Sequence, residues 1–115
     1  MDDTVYKRSP EGKEIARGSE MKQLRLRFRD RTIEMTKTIR IGRDDKNDVV
    51  ISDDPLVSRR HAVIENVDGE YRLKDLGSTN QTYLNNNPLP AEKSVVVKSG
   101  DIITIGHTQL QLTRF

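Results

Sequence analysis

Three short stretches of this chain hold most of the side chains that could do chemistry: "GRDDKND" at 42–48, "VSRRH" at 57–61 and "LGSTNQTYLNN" at 76–86. Between them they supply Arg43, Ser58, Arg59, Arg60, His61, Ser78, Thr79 and Asn80. Guanidinium, hydroxyl and amide donors brought to one point suit a phosphate dianion, which carries about −1.5 to −2 charge and three strong acceptor oxygens. Two other chemistries share these residues. Ser58 with His61 has the types of a nucleophile and its base, but no third group stands nearby and no GxSxG elbow occurs. The arginines, with Arg25, Arg27, Arg29 and Arg31, could form a basic surface for nucleic acid. Two Phe, three Tyr and no Trp leave little to stack bases on, and the net charge is only +2, so nucleic acid is not the expected partner. With two His and no Cys, no metal site is expected, and no other cofactor is implied. Gly42, Gly77, Gly100 and Gly106 read as turn residues, since neither GxxxxGK[ST] nor GxGxxG occurs. Arg43, beside Asp44, Asp45 and Asp48, also admits a plain reading as a salt-bridged surface loop.

Such loops need a rigid frame. The chain has 115 residues, 33% of them hydrophobic and 4% aromatic, so one core built mainly from Val, Ile and Leu is expected. Leu24, Leu26 and Phe28 alternate with Arg25, Arg27 and Arg29, the period of a strand with one wet face. Further short apolar or period-two runs fall at 32–35, 38–41, 49–51, 62–66, 71–74, 82–84, 94–97, 102–105 and 109–113. "DKND", "VDGE", "NNNPLP", "KSGD" and "GH" punctuate them as turns. About ten short strands at roughly ten-residue spacing, with no room for a long helix, point to an antiparallel sandwich or barrel. Strand ends can gather at one pole, which is where the three polar stretches would meet. Residues 1–22, polar and without sustained period, read as a flexible arm, with the folded domain at 23–115.

Gly42-Arg43, then Ser58-Arg59-Arg60-His61, then Gly77-Ser78-Thr79-Asn80-Gln81-Thr82 and Leu84-Asn85 together resemble the signature of the forkhead-associated (FHA) domain, in that order and with similar gaps. The resemblance covers residues 23–115. It implies a β-sandwich of about 10–11 strands whose loops at one end bind phosphothreonine in a partner protein during signalling, without catalysis. Carried over by position, Arg43 contacts the phosphate or peptide backbone, Ser58 donates its hydroxyl to a phosphate oxygen, and Arg59 adds a second positive contact. Thr79 gives a hydroxyl or N–H, and Asn80 holds the peptide main chain. Ser78 and Asn86 are secondary candidates, as is Leu56, which sits where the family reads the third residue beyond the phosphothreonine. Gly42, His61 and Gly77 are expected to support the loops, His61 by an internal hydrogen bond.

Two positions depart from the family pattern. Gln81 stands where Gly is usual, which implies a different turn or a strained one and puts the placement of Asn80 in question. Asn86 replaces a frequent Gly in a hairpin, a milder change because Asn tolerates positive φ. The competing function is an FHA surface that binds partners whether or not they are phosphorylated. Thr4, after Asp2 and Asp3, raises a further expectation: once phosphorylated it could dock into its own loop site. The longest apolar runs are far too short to span a bilayer, and the absence of Cys suits a reducing compartment. A cytoplasmic, monomeric module without membrane attachment is therefore expected.

Overall fold

The computed structural model describes residues 24–35 and 37–114. Eleven strands follow in chain order: β1 (Leu24–Phe28), β2 (Arg31–Glu34), β3 (Ile39–Gly42), β4 (Val49–Val50), β5 (Ala62–Val67), β6 (Glu70–Asp75), β7 (Thr82–Leu84), β8 (Asn87–Pro88), β9 (Ser94–Val97), β10 (Ile102–Ile105) and β11 (Thr108–Arg114). They form two sheets, β2-β1-β11-β10-β7-β8 and β4-β3-β5-β6-β9. The expected all-β sandwich is what the chain adopts, with no helix among the described residues. The arm at 1–22 and Thr4 lie outside the described residues.

The alternation that marks the strands also builds the core. Leu24, Leu26 and Phe28 are buried while Arg27 is exposed, and Ile103, Ile105, Leu110 and Leu112 of the neighbouring strands join them. From the facing sheet come Ile39, Ile41, Ala62, Ile64, Tyr71, Leu73 and Val97. Tyr71 is fully buried and its hydroxyl donates to the Met35 carbonyl, so the bulkiest core side chain leaves no polar atom orphaned.

Three details differ from the sequence reading. Arg29 does not continue the wet face of β1. It opens the β1–β2 turn at φ 58°, lies over the Phe28 ring at 4.9 Å and pairs with Asp53 at 2.7 Å. The sandwich is not wholly antiparallel, because β3 and β4 pair in parallel through Ile41 and Val49. This pairing turns the 43–48 loop back over the end of its own sheet. Finally, β8 lies within "NNNPLP", a stretch with strong turn composition. Asn85 and Asn86, at φ 51° and 72°, form a two-residue hairpin turn of the kind that needs both central residues at positive φ. The short strand follows from that turn rather than from its own apolar pattern.

Candidate functional site

The 43–48, 52–61 and 76–81 segments meet at one pole because backbone and side chain tie them together. Arg43 N–H donates to the Ser58 carbonyl at 2.9 Å and Asp44 N–H to the Arg59 carbonyl at 3.3 Å. The Asn47 amide donates to the carbonyls of both Arg59 and Asp44 at 2.8 Å. At Gly42 a Cβ would run into the Arg59 carbonyl, so only glycine lets these loops come this close. The Arg43 Nε–H donates to the Val57 carbonyl at 2.9 Å, which fixes its stem and leaves the Nη groups without a partner among the described residues.

His61 joins the second loop to the third from inside. Its ring is fully buried. Nδ1 accepts the Ser58 N–H at 3.0 Å, so the proton of the neutral ring sits on Nε2, which donates to the Gln81 carbonyl at 2.9 Å. Its own N–H donates to the Ile41 carbonyl, and its carbonyl accepts from Leu76 N–H. The Ser58 hydroxyl is not on this ring at all, because Oγ accepts the Thr79 N–H at 3.2 Å. The imidazole is therefore not placed as a base on the Ser58 hydroxyl.

Two carboxylates that the sequence reading passed over hold the frame. Asp75 Oδ1 accepts the Ser78 hydroxyl at 2.5 Å and the Thr82 hydroxyl at 2.7 Å, while Oδ2 accepts Gly77 N–H at 3.0 Å and Ser78 N–H at 2.9 Å. Desolvation is the largest single influence on this carboxyl and pushes its pKa up. The donors from Ser78 and Thr82 outweigh it and leave the pKa below the usual value. Asp54, buried, accepts Leu56 N–H at 3.0 Å, His107 N–H at 2.7 Å and the Thr108 hydroxyl at 2.9 Å, which pins the 52–57 segment to the β10–β11 turn. There too desolvation raises the pKa, and the His107, Thr108 and Leu56 donors bring it net below normal. Both aspartates sit two residues before an N–H they accept, the Asx-turn spacing that could have exposed them in "DPL" and "DLG".

This scaffold places Arg43, Ser58, Arg59 and Thr79 around one open pocket of about 500 Å3, together with Asp44 and Arg60. Asn80 stands beside it with its amide on the Leu56 carbonyl at 3.0 Å, so Leu56 and Asn80 are coupled. The Ser78 hydroxyl is committed to Asp75, which makes it part of the frame. Asn86 lies in the β7–β8 turn and is not among the lining residues. Asn85 braces that hairpin, donating to Asp101 at 3.0 Å and accepting Ile102 N–H at 2.9 Å. Gly77, at φ 76°, gives the third loop a conformation that glycine adopts freely. Gln81 keeps the left-handed backbone, at φ 66°, that a glycine would enter without cost, so the substitution is met by strain rather than by a different turn. Arg60, one of the donors that the sequence offered without a role in the family pattern, lines the pocket too, and so does Asp44, which the sequence suggested only as a salt-bridge partner of Arg43. The Asp44 carboxyl is held below its usual pKa, first by the Lys46 N–H and then by Asp45, with the charges of Lys46 and Arg60 adding to the effect.

Fold and pole together define a small β-sandwich recognition module that presents a donor-rich loop surface. The FHA domain family profile matches residues 39–106, and the chain belongs to that family. It is 41% identical over 73 residues to the oxoglutarate dehydrogenase inhibitor of Corynebacterium diphtheriae, an alignment covering 64% of this chain and 48% of that protein. An FHA domain-containing protein of Arabidopsis thaliana is 38% identical over 78 residues, 68% of this chain and 20% of that one. The chain thus spans between a fifth and about half of these relatives. Among solved structures, a domain from a structural and functional analysis of phosphothreonine-dependent FHA domain interactions superimposes with a TM-score of 0.71 at 30% identity, over 80% of this chain and 96% of that one.

Proposed function

We propose that this chain is a phosphothreonine-recognition module that joins its protein to phosphorylated partners in the cytoplasm. The observation that carries this reading is the convergence of Arg43, Ser58, Arg59 and Thr79, from three separate loops, on one open pocket. In it the Arg43 Nη groups and Arg59 supply charge and fork geometry to the phosphate. The Ser58 hydroxyl, which accepts from Thr79 N–H, keeps its own proton to donate to a phosphate oxygen. Thr79 offers its hydroxyl, and Asn80 exchanges its bond to the Leu56 carbonyl for the bound peptide's main chain. Three or four charge-assisted hydrogen bonds at about 1.5–3 kcal/mol each, less the cost of ordering a peptide, reach the ~8 kcal/mol of a micromolar complex. The family membership and the phosphothreonine-dependent behaviour of the similar solved domain support the same ligand class. Binding asks no bond-breaking of the site, in keeping with a Ser58 hydroxyl that is not paired with the His61 ring.

The test is direct titration. A phosphothreonine peptide is expected to bind and its unphosphorylated twin not to bind, with Arg43→Ala or Ser58→Ala removing the difference. Equal affinity for both peptides would favour a phosphorylation-independent surface, the alternative that Gln81 raised.

A further inference from the structure

Beside the phosphate pocket, the outer face of the β3-β5-β6 sheet carries a second recess of about 580 Å3, lined by Arg40, Lys46, Val63, Glu65 and Leu76 among others. Asp44 and Arg60 line both recesses, so the two meet across this pair. Register explains its apolar floor. Val63 stands opposite Arg40 on one side and Lys74 on the other, pointing away from the core, yet it is only 8% exposed. Long basic side chains commonly lay their aliphatic stems over such a residue. Leu76, directly after β6, is 42% exposed although its backbone is tied to the His61 carbonyl. Charge is distributed unevenly round this floor. Arg40 pairs with Asp48, while Lys46 and Arg60, whose charges act on Asp44, have no carboxylate within ion-pair distance among the described residues; Glu65 on the same lining also has no ion-pair partner there.

We propose that this recess is the second half of the recognition surface and takes an apolar side chain, next to an acidic one, from the same polypeptide that carries the phosphothreonine. The apolar residue seats on Leu76, at the edge of the Val63 floor, and the acid faces Lys46 and Arg60. The inference rests on the phosphothreonine reading, because only a ligand anchored in the first pocket is led across Arg60 into the second. Its occupant is therefore a continuous partner segment, and the specificity it adds is independent of the phosphate.

The experiment compares the whole chain with Leu76→Asp and Lys46→Glu variants, against an oriented phosphothreonine peptide library and an alanine-flanked phosphothreonine peptide. The wild-type chain is expected to select an apolar residue at one offset with an acid adjacent to it. Leu76→Asp should erase the apolar selection and weaken the selected peptide about tenfold, while the alanine-flanked peptide binds both proteins alike. Lys46→Glu, which leaves Arg60 as the remaining cation facing the acid, should weaken the acidic preference; an acidic preference unchanged in this variant counts against the inference. Selection that is flat at every offset, or an apolar preference that survives Leu76→Asp, overturns the inference and leaves the phosphothreonine reading standing. Loss of phosphate dependence in the wild-type chain removes that reading instead, and the inference with it. A dimer of the unliganded chain that Leu76→Asp dissociates would assign the recess to a second copy and also overturn it.

Discussion

Replacing His61 with Phe keeps a ring of similar size in the core and removes both hydrogen bonds that join the second and third loops. The Ser58 N–H loses its acceptor and the Gln81 carbonyl its donor. Each orphaned group costs about 1–3 kcal/mol when it stays away from water, so the pair amounts to about 3 kcal/mol with partial rehydration. For a domain of this size each kcal/mol shifts Tm by roughly 4–8 °C, which gives a fall of about 12–24 °C. Circular dichroism measures that fall. Titration with a phosphothreonine peptide, well below the lowered Tm, reads the second consequence: Ser58 and the Thr79 N–H drift apart, and affinity falls about tenfold, the effect of one misplaced charge-assisted bond. His61→Gln, whose amide can accept and donate, should recover part of both losses. A Phe variant that melts within a few degrees of wild type and binds as tightly would show that the ring does not brace the loops.

Other substitutions probe the same frame. Asp75→Asn should lower stability by about 2 kcal/mol at neutral pH, because a neutral amide replaces a carboxylate with four donors. Since the folded-state pKa of Asp75 is depressed, its contribution is fully present above the unfolded value of about 3.9 and disappears as pH falls through the lower folded one. The gap between wild type and variant in urea denaturation should therefore begin to close as the pH falls below about 4 and go on closing through the lower folded-state pKa; a constant gap would contradict this assignment. Gly42→Ala should part the 43–48 and 57–60 segments and weaken phosphopeptide binding more than it lowers Tm, because the added methyl meets the Arg59 carbonyl at the loop rather than in the core. Gln81→Gly should relieve left-handed strain of about 1 kcal/mol, partly offset by the entropy of an added glycine, and leave affinity unchanged. A clear loss of stability there would show that the Gln81 side chain contributes to the pole.

Much of this architecture was legible because the core strands obey a two-residue period. Leu24, Leu26 and Phe28, or Ile103 and Ile105, announce both strand and buried face. The exceptions have local causes. β8 owes its place to the Asn85-Asn86 turn, so its own residues look like loop. The β3–β4 parallel contact is only two residues long, too short to leave a pattern. Arg43, Ser58, Arg59 and Thr79 could be read because donors stand out in sequence, and the chain does bring them to one pocket. Asp54 and Asp75 were missed because a carboxylate beside turn residues looks like ordinary loop, and its value emerges only when donors from residues such as His107 and Thr82 arrive. Leu76 was hidden for a similar reason, and Arg60, visible as a donor, had no assigned role. What gives both a place is the recess next door, which no spacing along the chain reveals.

The proposed recognition of phosphothreonine meets its most direct test in calorimetric titration of the whole chain with one library-selected peptide in phosphothreonine and plain threonine forms. Micromolar binding of the first, no detectable binding of the second, and loss of the first on Ser58→Ala is the expected outcome. Equal heats from both forms, or a Ser58→Ala protein that binds the phosphopeptide as tightly as wild type, would contradict it.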